Sequence, residues 1–154
     1  AIYASHILEH SSFGDGHLER TLQEWHRALR PGGMVMISVP DLVTVFQLYL
    51  REDLGVEDRW LLTKVIYGAQ SDEYDYHHVG FDYGLLHTIL VQNGYCAIER
   101  VGNFNLFQDS SEIVMFGRHI SLNVAAKKCQ VATPSDRDKD FHINHNADPY
   151  EPGT

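Results

Sequence analysis

Three short stretches of this 154-residue chain carry side chains suited to proton transfer or ligand binding. The first is Ser5, His6, Glu9 and His10, inside the run Ser-His-Ile-Leu-Glu-His. The second is Pro40-Asp41, and the third is the loop segment around Asp75, Tyr76, His77, His78 and Phe81. An imidazole titrates near neutrality, so His6, His10, His77 and His78 each suit a general base. His77 and His78, with Asp75 to orient them, are the catalytic candidates; Asp41 is the other carboxylate able to orient a base. His6-x-x-Glu9-His10 also matches the inverted zinc-peptidase motif, H-x-x-E-H. On a helix the two histidines would share a face, with Glu9 close by. Here the five residues directly follow a strand-like run, Gly14 cuts the helical stretch short, and no third ligand is evident downstream. The match reads as chance within a strand end, and no metal is assigned; the same holds for His142 and His145.

The elements that must position these groups follow from periodicity. Residues 1–5 are expected to form the end of a buried strand, and because the chain opens inside it without an initiator Met, a fragment of a longer chain is expected. Leu18, Leu22, Trp25 and Leu29 make one stripe of an amphipathic helix, which Pro31-Gly32-Gly33 stops. Residues 34–39 are almost continuously apolar, the mark of a parallel strand covered on both faces. Strand, helix and strand of these lengths make a βαβ unit. Asp41 caps a helix through Leu42, Val45, Leu48 and Tyr49, and another helix spans roughly 57–67. Residues 68–80 are a polar, aromatic loop of the kind that is functional or mobile. Asp82 caps a helix with Leu85, Leu86, Ile89 and Leu90 on one face, closed by Asn93-Gly94. Residues 95–101 predict a strand and 120–127 a final one, while 104–118 give no clear element. Trp25 and Trp60 lie on apolar stripes and are expected in the core. Cys96 is expected as a small buried apolar residue. In an open parallel sheet, ligands bind outside the carboxyl ends of the strands. All three chemical stretches would converge there.

The run from Ile2 to His10, with Leu-Gln-Glu-Trp-His-Arg-Ala-Leu-Arg-Pro-Gly-Gly-Met-Val-Met-Ile-Ser-Val-Pro-Asp over 22–41, resembles class I S-adenosylmethionine-dependent methyltransferases. It is similar to their fourth strand, the helix after it, the Pro-Gly-Gly turn and the fifth strand. Val79-Gly80-Phe81-Asp82, Leu85, Leu86, Leu90 and Asn93-Gly94-Tyr95 look like the following helix and sixth strand. The resemblance covers residues 1–128 and is nearest to bacterial predicted methyltransferases whose fifth strand ends in Ser-Val-Pro-Asp-Leu. It implies an α/β fold, a partial Rossmann-like sheet of mostly parallel strands with a final antiparallel strand, flanked by helices. It also implies methyl transfer from S-adenosyl-L-methionine to a small-molecule or saccharide acceptor, as part of a longer chain. By resemblance Ser5, His6, Glu9 and His10 flank the cofactor, and Pro40, Asp41, Tyr76 and Phe81 face the acceptor. The family's glycine-rich turn and ribose-holding acidic residue lie upstream of its fourth strand and have no counterpart here, so the fragment alone is expected to be inactive. The alternative is a non-catalytic domain that keeps the fold and binds a partner through its aromatic loop.

Composition sets the outer bounds. A formal net charge of -9 repels phosphate backbones and anionic lipid, which argues against nucleic acid and membrane surfaces. No apolar run approaches the ~20 residues that span a bilayer. Two cysteines without CxxC spacing are too few for a disulfide framework and suggest a reduced, cytoplasmic compartment. Residues 129–154 read as a polar, disordered tail. The missing upstream strands would leave a sheet edge open to self-association.

Overall fold

In a computed structural model, residues 1–129 are described; the predicted tail therefore lies outside the described residues, apart from Cys129. The chain is an α/β structure in which helices flank a mixed four-stranded sheet. Strand β1 (Ile2–Ser5) leads through helix α1 (His17–Ala28) to strand β2 (Met34–Pro40). β1 and β2 pair in parallel, with Ser5 opposite Ser38. The two apolar runs thus lie side by side and point the same way. α1 buries Leu18 and Leu22, four residues apart, against the sheet. It ends at Leu29, whose backbone is extended, and the chain then turns sharply at Gly33, where a Cβ would stand 2.8 Å from the Arg30 carbonyl oxygen.

Helix α2 (Leu42–Tyr49) starts at Asp41, whose side chain accepts from the Val43 amide. Helix α3 (Val56–Tyr67) packs on α2, and Val45, Leu48, Leu54, Leu62 and Ile120 form a small core between them. Helix α4 (Tyr83–Gln92) starts at Asp82, which accepts from the Leu85 amide at 2.8 Å. It packs beside strand β3 (Tyr95–Val101). A two-residue ribbon, β4 (Val114–Met115) with β5 (Arg118–His119), occupies the region without a clear sequence signal. Strand β6 (Ser121–Lys128) then runs antiparallel to both β2 and β3. The order is β1-β2-β6-β3, so three strands point one way and the last runs against them. The main core joins Leu18 and Leu22 of α1, Val35, Ile37 and Val39 of β2, and Leu86 and Leu90 of α4.

Two expectations are corrected. Trp60 is 61% exposed. The inward stripe of α3 is Leu62, Val65 and Ile66, and Trp60 falls on the outer face, its ring 5.9 Å from the Lys64 ammonium one turn on. Cys96 is not a buried apolar residue: it is exposed and disulfide-bonded to Cys129. That bond removes the reasoning from unpaired cysteines to a reducing compartment. Among the described residues, no helix is long and apolar enough to cross a membrane.

Candidate functional site

Where β1 ends, the backbone turns abruptly. His6 adopts a φ of 52°, an uncommon conformation for a residue with a Cβ, and its amide bonds the Ser38 carbonyl at 2.8 Å. A single 3-10 turn follows over Leu8–His10. Leu8 is fully buried, and the turn carries Glu9 inward with it, to 1% exposure. The Glu9 carbonyl accepts from the His78 amide at 2.8 Å and the Val79 amide at 3.3 Å. The loop after α3 is thereby stitched onto the turn. Gly68 lets that loop close on itself: its φ is +81°, and a Cβ there would sit 2.1 Å from the Asp75 carbonyl oxygen.

Four side chains meet at this junction. His77 Nδ1 lies 3.0 Å from the Val65 carbonyl oxygen, and His10 Nδ1 lies 3.0 Å from the Tyr76 carbonyl oxygen. A carbonyl only accepts, so both Nδ1 atoms carry hydrogen and both Nε2 atoms of the neutral rings are bare. The Ser121 hydroxyl donates to the Ser110 carbonyl at 2.7 Å, so it accepts from His6 Nε2 at 3.0 Å. That leaves His6 Nδ1 bare as well, and it faces Glu9 Oε1 at 3.3 Å. His77 Nε2 is 3.9 Å from the same oxygen, and the His10 and His77 rings meet edge to face at 4.8 Å. Neither carboxylate oxygen of Glu9 has a hydrogen-bond partner, although the His6 contact is within ion-pair distance. Lone pairs converge with no hydrogen among them.

Such an arrangement is comfortable only when something electropositive enters it. A proton is one solution: burial pushes the Glu9 carboxyl up to about 7, so it holds a proton that it can share with His6. Burial, then the nearby His77, lowers His6 to about 4. Burial, then His10, also lowers His77. All three changes favour neutral groups.

The other predicted residues are placed around this centre or away from it. Ser5 donates to Asp109 at 3.2 Å, and Tyr3 donates to the same carboxylate at 2.9 Å. Asp41 is buried; it caps α2, accepts from the Thr44 hydroxyl at 3.0 Å and pairs with Arg100 at 2.8 Å. Pro40 sits beside it at the end of β2, paired with Ser121. Asp75 is turned to Ser71, whose hydroxyl holds its carboxyl below the usual range. His78 and Tyr76 are exposed. Phe81 is 0% exposed within the main core, which leaves a ligand no face of it. The residues that sequence reasoning did not reach are Val65, Tyr3, Asp109 and Ser121. Only Asp109-Ser110-Ser111 had a local signal, an Asp followed by serines that favours a turn. A shallow hollow lined by residues 1–2 and 28–33 opens at the far end of β1 and β2, away from this cluster.

Compared with known proteins, the chain matches no family model, no curated protein and no solved structure.

Proposed function

We propose that this chain is the C-terminal portion of a class I methyltransferase domain, working within a longer protein to move a methyl group from S-adenosyl-L-methionine to a small-molecule or saccharide acceptor. One observation carries the reading: β1 and β2 run in parallel and in register, and the last strand is reversed against them. That is the mixed order which the resemblance in residues 1–128 implies. A cluster of buried titratable groups at the carboxyl end of β1 is where an open sheet binds its ligand.

The fit to the cofactor is partial. Ser5 and His6 spend their polar atoms on Asp109 and Ser121, and Glu9 is sealed under the loop. These residues would form a wall beside the cofactor rather than grip it. The gripping elements in the family, a glycine turn and an acidic residue, lie upstream of the matched region. The cofactor itself supplies a sulfonium-bound methyl group as electrophile. This chain's part is to hold the acceptor in line and keep water out. Where the acceptor carries a proton, His10, partly exposed beside the Glu9 pair, is the base within reach.

The test is made on the parent protein with methyl-labelled cofactor and a panel of saccharides and small metabolites. Label transfer is expected; no transfer together with no cofactor binding would sink the reading. The 154-residue chain alone should bind the cofactor very weakly, and micromolar affinity by calorimetry would contradict its being only the distal wall. The upstream coding sequence should carry a glycine-rich turn with an acidic residue ~20 residues beyond it. The competing reading, a non-catalytic binding domain, draws on Tyr74, 79% exposed at the loop tip. It gives no account of an unpartnered buried Glu9.

A further inference from the structure

We propose that Glu9, His10 and His77 form a binding site for one divalent transition-metal ion of the zinc class. One ligating atom from each lies within 4.8 Å of the other two. Two imidazoles and one carboxylate are a donor set that such ions favour, with three protein ligands leaving a position for water or an oxygen of a bound molecule. The outer contacts already do what metal sites require. Each histidine is held by an Nδ1 hydrogen bond to a backbone carbonyl, Val65 for His77 and Tyr76 for His10. That bond fixes the ring and leaves Nε2 bare. Glu9 adds the second, independent observation: it is 1% exposed, both its oxygens lack a hydrogen-bond partner, and one of them lies 3.9 Å from His77 Nε2.

An ionised carboxylate buried here is costly; without metal a proton relieves it, and a cation among these lone pairs relieves it in the proton's place. The ligand atoms must draw together to reach the 2.0–2.2 Å bonds typical of zinc. Turning the Glu9 and His10 side chains provides the movement, while His77 stays held by the Val65 carbonyl and its loop by the Glu9 carbonyl. His6 Nδ1 also faces Glu9 Oε1, at 3.3 Å, but its ring is tied to Ser121 through Nε2 and it lies outside the three-residue group. The site uses only the last two residues of the H-x-x-E-H pattern. Its third ligand comes from the loop, 67 residues beyond His10.

The test reads metal binding alone, so its outcome is distinguishable from that of the methyl-transfer reading, although a bound ion would occupy the His10 nitrogen which that reading uses as base. The chelator-treated 154-residue chain is titrated with Zn2+ by calorimetry and with Co2+ by visible absorption. One equivalent of each should bind, with Co2+ giving the intense d–d bands of low coordination. His77→Ala and His10→Ala should each lower Zn2+ affinity at least tenfold and erase the Co2+ bands. Glu9→Gln should do the same. His10 is only partly buried, so its variant keeps the fold and carries the decision, checked by unchanged far-ultraviolet circular dichroism. His78→Ala, and His142→Ala combined with His145→Ala, should leave affinity unchanged. Zn2+ binding that survives His10→Ala and His77→Ala, or that disappears with the tail histidines, overturns the proposal.

Discussion

His77 donates its Nδ1 hydrogen to the carbonyl of Val65, 3.0 Å away, and this one bond decides which nitrogen the loop presents to Glu9. Helix α3 ends two residues past Val65, at Tyr67, and the His77 amide bonds the Tyr67 carbonyl at 3.2 Å. The end of a helix and a histidine ten or twelve residues later therefore behave as one rigid piece.

Glu9 gives the metal-free chain a particular dependence on pH. Its folded value is raised from 4.5 to about 7, so the folded state keeps a proton that the unfolded chain has lost. Its contribution is fully present below 4.5 and is lost as pH rises through about 7. His6, lowered from 6.5 to about 4, works the other way: its contribution is present above 6.5 and lost as pH falls through about 4. Between 4.5 and 6.5 the two slopes oppose each other, and His77, lowered in the same direction as His6, adds to the opposing side until the unfolded histidines have lost their protons. The Glu9 share is read as a difference: relative to Glu9→Gln, urea unfolding of the wild type should lose on the order of 1 kcal/mol between pH 6.5 and 8. Parallel curves for the two proteins would contradict the buried, protonated carboxyl.

Asp41 holds three partners in a buried position: the Val43 amide, Thr44 and Arg100. Asp41→Ala should cost roughly 2–4 kcal/mol in unfolding free energy. Arg100→Ala should cost less, because the arginine side chain is 54% exposed. A loss under ~0.5 kcal/mol for Asp41→Ala would mean that α2 does not depend on its cap.

Cys96 and Cys129 close a loop with a sequence separation of 33. Unreduced, denatured chain should show no free thiol to Ellman's reagent, and two after reduction. Cys96→Ser should lower stability by about 3 kcal/mol relative to the oxidised protein. Two reactive thiols before any reductant is added would refute the crosslink.

Trp60 stands in solvent on the outer face of α3. Trp60→Ala should change stability by less than about 1 kcal/mol and remove the more acrylamide-accessible part of the fluorescence, leaving half-buried Trp25. A loss of several kcal/mol would return Trp60 to the core.

The βαβ unit was legible because its signals are local. Continuous apolar residues over 34–39, the Leu18 and Leu22 spacing and the Pro-Gly-Gly stop each act within a turn or two. Asp41 and Asp82 were readable as caps for the same reason. Trp60 misled because α3 carries apolar residues on two faces, and only contact with α2 and Ile120 selects the face of Leu62, Val65 and Ile66. The site was half legible. His6, Glu9 and His10 stood out by type and His77 by its loop, but nothing in their spacing brings residues 9 and 77 together. That meeting depends on backbone bonds from His78 and Val79 to the Glu9 carbonyl and on the closure at Gly68. No pattern of residue types announces that a glutamate will be enclosed.

Strand β6 lies between β2 and β3, yet it is the last of the four to leave the ribosome. Until residues 121–128 have been made, β2 has only β1 beside it and β3 has no strand to join. From the end of β3 to the end of β6, ordinary translation speeds make that interval on the order of a few seconds, during which the nascent chain carries an unfilled slot in its middle. Completion is therefore a single late event, and a stop codon placed before residue 121 removes the keystone rather than trimming an end.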